Sequence, residues 1–310
     1  MRIFLASLLT VLLVADGWAQ EPALTFATME FASVSFSRDG SRLLVFDEGS
    51  RDYYVWEVAT QRLVAHQRLD FAILGAELSP DGKLLALGER PRRLAVLDLA
   101  NKKRVFLHQG PTPAKGQDSG GYGVAWSSRG DRLAAWGTGF MREAGEPKCY
   151  VFSWPQQKLL RTFEVERQGV QCGWSEAGQL LVRSFAGLRV FDPVGGGLLE
   201  TLDEEALGSQ EYLHRLSALG MHLSGIDAAT GRQSFPGSPV TVEPQSGRSG
   251  PPRVVLFHGA DELGRLEGAS NTVLSPNGKV MAVVSSSAVF LVDVEATLAT
   301  RRLVMARRRG

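Results

Sequence analysis

Cysteine is nearly absent from this chain: Cys149 and Cys172 are the only two in 310 residues. That excludes a Cys-x-x-Cys zinc site, a Cys-x-x-Cys-His haem attachment and a disulfide-dense scaffold. Histidine is scarce as well, and His66, His108, His214, His222 and His258 include no pair at zincin spacing. There is no Gly-x-Ser-x-Gly nucleophile elbow and no phosphate-binding loop. Gly120-Gly121-Tyr122-Gly123 is glycine-rich but precedes a strand pattern, so it lacks the helix N-terminus that phosphate binding uses. No spacing marks a catalytic, metal or cofactor site, and no cofactor is expected. An excess of charge is missing too: 34 basic residues stand against 33 acidic ones, for a net charge of +1. Arg301, Arg302, Arg307, Arg308 and Arg309 crowd the last ten residues, so the body is near −4 and is not an electrostatic nucleic-acid binder. After the first 19 residues no apolar run is long enough to span a bilayer.

What the chain does contain is a phrase written six times, Ser-x-x-Gly between two β-rich runs. The copies begin at Ser37, Ser79, Ser127, Ser175, Ser217 and Ser275 and end at Gly40, Gly82, Gly130, Gly178, Gly220 and Gly278. The serines are separated by 42, 48, 48, 42 and 58 residues. A period of about 40–50 with strands on both sides of each turn is the signature of propeller blades. The second copy reads most clearly. Ala76–Ser79 is a strand, Pro80-Asp81-Gly82 a tight turn, Lys83–Gly88 and Leu94–Leu99 two further strands, and Arg104–His108 a fourth. The third strand recurs as Tyr53–Val58, Leu188–Asp192 and Val289–Val294.

These residues predict an all-β fold, a single β-propeller of four-stranded antiparallel blades, six in number with seven as the alternative. Leu78-Ser79-Pro80-Asp81-Gly82-Lys83-Leu84-Leu85-Ala86 resembles the first hairpin of blades in the divergent bacterial WD40-like propellers. The resemblance covers nearly the whole chain and implies fold more than function. No repeat has the Gly-His pair of the strict pattern, and Trp-Asp occurs only as Trp56-Glu57, so the hydrogen-bonded tetrad of that subfamily is not carried over. Closure of the ring has two solutions: a strand within Ala23–Met29, or one within Ala299–Ala306.

The ends suggest a location. Arg2, the apolar stretch Ile3–Ala15 and the small residues Gly17 and Ala19 read as a signal peptide over 1–19, cleaved near Ala19. Residues 20–306 then form the propeller, and 307–310 a basic tail able to touch an anionic surface weakly. A periplasmic or secreted protein follows. An oxidising compartment permits a Cys149–Cys172 bridge; their places, on a third strand of one blade and a first strand of the next, count against it because such positions need not lie within the roughly 7 Å Cα limit, and two separate buried thiols are the plainer alternative.

Three segments exceed what a minimal blade needs: Gly110–Gly121, Gly137–Pro147 and Asp227–Pro252. All belong to blade-to-blade or second-to-third-strand connections, which share one face of a propeller. Function concentrates on such loops. Candidate interface residues there are Phe140, Met141, Arg142, Glu143, Glu146, Lys148, Phe235, Arg248 and Arg253, a mixed-charge set with apolar anchors that suits a protein partner better than a phosphate. The expectation is a binding or scaffold module with a protein partner. The alternative is a hydrolase or lactonase-like enzyme with a metal in the central channel, its ligands gathered from distant repeats.

Overall fold

A computed structural model describes residues 14–15, 18–19, 24–25, 32–47, 50–90, 92–110, 121–138, 148–165, 171–184, 187–203, 225–226, 233–235, 238–245, 252–285 and 287–306. Six antiparallel sheets form the blades of a β-propeller. Blade one comprises Ala32–Phe36, Arg42–Asp47, Asp52–Glu57 and Arg62–Arg68. Blade two comprises Ile73–Leu78, Leu84–Glu89, Arg93–Asp98 and Lys103–Gln109. Blade three comprises Gly121–Trp126, Arg132–Thr138, Lys148–Ser153 and Leu159–Glu164. Blade four comprises Gln171–Trp174, Leu180–Ser184, Gly187–Phe191 and Leu198–Asp203. The first strands of blades one to four lie against one another in turn, which puts them at the axis. Second strands are sandwiched between neighbouring blades, which explains why they read as continuous apolar runs rather than alternating ones. Leu43, Leu44 and Val45, Leu85, Ala86 and Leu87, and Leu133, Ala134 and Ala135 are all fully buried.

The repeated serine is a structural device. Ser37, Ser79, Ser127, Ser175 and Ser275 are buried. Each hydroxyl accepts from a backbone amide at or just before the start of the next strand, as at Leu84 N to Ser79 Oγ, 2.9 Å. Each also donates to a polar side chain within its own turn, as Ser79 Oγ to Asp81 Oδ1 at 2.7 Å. Gly82 ends the turn at φ 66°, a conformation that side chains rarely adopt.

Blade five departs from the expected reading. Its sheet has five strands, Gly225–Ile226, Gln233–Ser234, Val240–Gln245, Arg253–His258 and Asp261–Glu267. In blades one to four a register shift recurs between the third and outer strands, at Val55/Trp56, Val96/Leu97, Val151/Phe152 and Val190/Phe191. The same shift at Leu256/Phe257 marks Arg253–His258 as a third strand. The first strand is therefore Gln233–Ser234, and the turn after it is closed by Ser238 N donating to Phe235 O at 3.0 Å. The phrase Ser217–Gly220 lies outside the described residues. Asp227–Pro252 is accordingly not one long insert, because it contains two strands.

Blade six comprises Ala269–Leu274, Val280–Ser285 and Ala288–Asp293, with both chain ends along its outer edge. Leu24–Thr25 pairs with Val289 and Ala288. Farther along, Met305 bridges Val292, and Ala306 N donates to Leu291 O at 2.7 Å. Residues 299–300 are not strand, as one of the two closures required, but end a short helix, Val294–Thr300, capped by Asp293 accepting from Ala296 N. The helix buries Thr297 and Val294 and packs Leu298 onto the core between blades five and six. Among the described residues no helix is long and apolar enough to cross a membrane.

Candidate functional site

The two faces of the ring differ in chemistry. One carries the first-to-second and third-to-fourth turns, and several of these are tied to one another. Asp39 N donates to Pro80 O at 3.0 Å, tying the turns of blades one and two. Arg132 Nη1 donates to Gly178 O at 3.1 Å, tying blades three and four. Arg38 of blade one reaches Glu176 of blade four across the ring, its Nη2 donating to both carboxylate oxygens.

The opposite face carries the blade-to-blade and second-to-third connections. The residues that flank two of the long segments, Gly110 and Gly121 for 111–120 and Thr138 and Lys148 for 139–147, lie on it around the seam between blades two and three. Gly110, at the root of the first, donates to Arg92 O at 2.9 Å, and Gly121 pairs with Thr138. Lys148, where the second re-enters the sheet, is half-buried opposite Glu164.

The seam between these roots is aromatic. Tyr122 lies with its backbone against Gly88 and its phenol against Gly110; a Cβ on Gly88 would sit 1.7 Å from Tyr122 O. The His108 ring lies 6.5 Å from that of Tyr122 and 5.2 Å from that of Tyr150, and the Tyr122 and Tyr150 centroids are 5.9 Å apart. Deeper in the seam, Phe106 meets Phe152 edge-on at 5.3 Å, and Trp126 meets Trp154 at 5.2 Å. Burial lowers the His108 pKa from its ordinary value, which keeps the imidazole neutral at neutral pH, and burial raises that of the Tyr122 phenol. The seam packs between the strand ends from which both connections leave.

Charged groups ring this face in mixed sign. In blade two the fully buried Glu89 meets Arg104 at 3.0 Å and Arg93 at 3.7 Å, and Arg93 lies 4.1 Å over the Phe71 ring. Burial pushes the Glu89 carboxyl up, against the pull of both arginines. In blade one Asp52 lies 3.4 Å from His66 and 3.5 Å from Arg68, while the His66 ring stacks on Tyr54 at 4.2 Å. In blade five Arg253 Nε donates to Gln245 Oε1 at 2.7 Å.

Of the residues singled out by sequence, Lys148 and Arg253 stand on this face, at the starts of third strands. Phe235 is not a surface anchor: it is 7% exposed and belongs to the core between blades five and six, at the turn position where five other blades bury serine. Phe140, Met141, Arg142, Glu143, Glu146 and Arg248 lie outside the described residues, as does Gly220. Sequence reading missed the aromatic seam, because its members come from three strands of two repeats. The described residues bring no three His, Cys, Asp or Glu side chains together as a metal-binding set.

No protein-family model and no curated protein matches the chain. Solved structures do. A chain of the mitotic checkpoint complex is similar at 11% identity and TM-score 0.50, covering 91% of this chain and 98% of that one. Kuenenia stuttgartiensis hydrazine synthase is similar at 13% identity and TM-score 0.47, over 92% of this chain and 82% of the other. The WD40 domain of Toxoplasma gondii coronin is similar at 18% identity and TM-score 0.44, over 55% and 44%. At such identities the likeness is one of fold: this chain is a β-propeller of six blades.

Proposed function

We propose that this protein is an exported β-propeller scaffold that binds a protein partner through its loop face. The observation that carries the reading is the contrast between the faces. The turn face uses its polar groups on itself, in hairpin hydrogen bonds and in the Arg38–Glu176 pair across the ring. The other face holds the connections that vary most in length, set on a packed aromatic floor and rimmed by mixed charge. Rigid support under variable loops lowers the ordering cost of binding. Mixed charge with apolar anchors suits a protein surface. Phe140, Met141 and Arg142 in one connection, and Arg248 and Arg253 around another, are the proposed contacts. The signal-peptide pattern over 1–19 supports a partner in the periplasm or outside the cell, with the basic tail 307–310 adding weak attraction to an anionic surface.

The test is capture from the native cells after mild cross-linking, with a variant shortened at 111–120, 139–147 and 246–251 as the comparison. A partner held by the natural protein and lost by a variant of unchanged melting midpoint supports the reading. Equal capture by both refutes it.

A further inference from the structure

The two cysteines come together although they belong to different blades. Cys149 is on the third strand of blade three and Cys172 on the inner strand of blade four. Both are buried and both are free thiols in this structure. They share one apolar cluster with Trp136, Val151, Phe163 and Leu180, and within it the two thiols are close neighbours. Their cross-strand neighbours, Trp136 opposite Cys149 and Val182 opposite Cys172, are apolar and offer neither sulfur a better partner.

We propose that Cys149 and Cys172 are a disulfide pair that stitches blade three to blade four. This goes beyond the binding reading and takes from it only the oxidising compartment. The bridge links surfaces that share no backbone ladder, since each blade is its own sheet. It closes a loop that holds the outer strand of blade three and the connection into blade four, so it restrains the unfolded chain where the ring has to be assembled.

The chemistry is two thiol–disulfide exchanges with a disulfide oxidant such as glutathione disulfide or an oxidoreductase disulfide. The Cys172 thiolate attacks the oxidant's S–S bond and expels one thiolate, leaving a mixed disulfide. The Cys149 thiolate then attacks the Cys172 sulfur and expels the second. The pair loses two electrons and two protons; the oxidant gains both electrons as two thiolates, which take up the protons. Exchange belongs to folding, before the blades close, because burial in the packed cluster raises the Cys172 thiol pKa well above its ordinary value and holds back the thiolate. Forming the bond brings the sulfurs from contact to about 2.05 Å.

The test refolds the full chain from denaturant in a glutathione buffer rich in the oxidised form, then denatures it in maleimide and reads intact mass and a non-reduced digest. The expected result is no maleimide or glutathione adduct, a Cys149–Cys172 linked peptide, and two maleimide adducts after reduction. Two maleimide adducts without reduction, or one glutathione on each cysteine, overturns the proposal. A Cys149→Ala/Cys172→Ala variant separates bridging from packing. It should melt with reduced natural protein, and roughly 5 °C or more below the oxidised form; equal midpoints for the oxidised and reduced natural protein would also overturn it. Neither arm depends on where the protein resides, so failure of the export reading shows separately.

Discussion

Arg38 and Glu176 meet over the turn face from opposite sides of the ring, the guanidinium of blade one donating to both carboxylate oxygens of blade four. Both residues follow the buried serine of their repeat, three repeats apart. In a six-bladed ring, repeats three apart are diametrically opposed. The pair is therefore a signature of six blades, since a seven-bladed ring has no such opposition. It also spans the centre of the face whose turns are already bound to one another.

Both side chains of this pair are about half exposed, at 47% and 52%, so its contribution to stability is small. Arg38→Ala should cost less than about 1 kcal/mol, and the cost should fade in about 1 M salt. Arg38→Glu should cost more, and adding Glu176→Arg should restore most of the loss. Denaturant melts of the four proteins at two salt concentrations check this; no recovery in the double variant would deny the contact.

Gly82 stands at φ 66°, where a Cβ would also lie 2.6 Å from Arg42 Cγ. Gly82→Val should destabilise by more than about 1 kcal/mol. Gly137, in a strand with nothing within 4 Å of an added Cβ, is the control, and Gly137→Ala should stay within about 0.5 kcal/mol. Thermal denaturation of both distinguishes a turn requirement from general sensitivity to glycine replacement.

Gly88 sets the spacing of blades two and three. Its missing side chain leaves room for Tyr122 O, 1.7 Å from where a Cβ would be. Backbone meets backbone there, so the blades have to part. Gly88→Ala should cost about 3 kcal/mol or more, far above an ordinary surface substitution. Unfolding by denaturant would show it, and a loss under 1 kcal/mol (roughly the ordinary range) would contradict the close approach.

Glu77, on the inner strand of blade two, accepts from Trp126 N of blade three at 2.6 Å. Burial pushes its carboxyl up to about 8 from an ordinary value of 4.5. The fold thus favours the protonated acid. That contribution is complete below the unfolded value and is lost as pH rises through about 8. Glu77→Gln keeps an acceptor for Trp126 N and does not ionise. Natural protein should lose stability relative to the variant between pH 4.5 and about 8, with a constant difference above. Parallel stability curves across that window would contradict the assignment.

The ring was legible in the chain because one phrase per blade does one physical job, burying a serine that caps the hairpin. Where the job is done differently the phrase is no guide: blade five buries Phe235 at that position. The closure was legible only as alternatives, because Leu24–Thr25 and Met305 each occupy part of one edge. The seam of His108, Tyr122 and Tyr150 was not legible, since periodicity says which residues are buried but not which rings from different repeats meet. Arg38 and Glu176 carried a signal that went unread, opposite charges at one repeat position in opposite blades.

The central claim, that the loop face binds and the turn face does not, has a direct measurement in the lysines. Lys115 and Lys148 belong to the loop-face connections, while Lys83, Lys102, Lys103, Lys158 and Lys279 belong to the turn face. Amine cross-linking of the captured complex, mapped residue by residue, reports which face the partner touches. Cross-links from Lys115 and Lys148, with none from the other five, are the predicted result. Cross-links confined to Lys83, Lys102, Lys103, Lys158 or Lys279 would contradict the account.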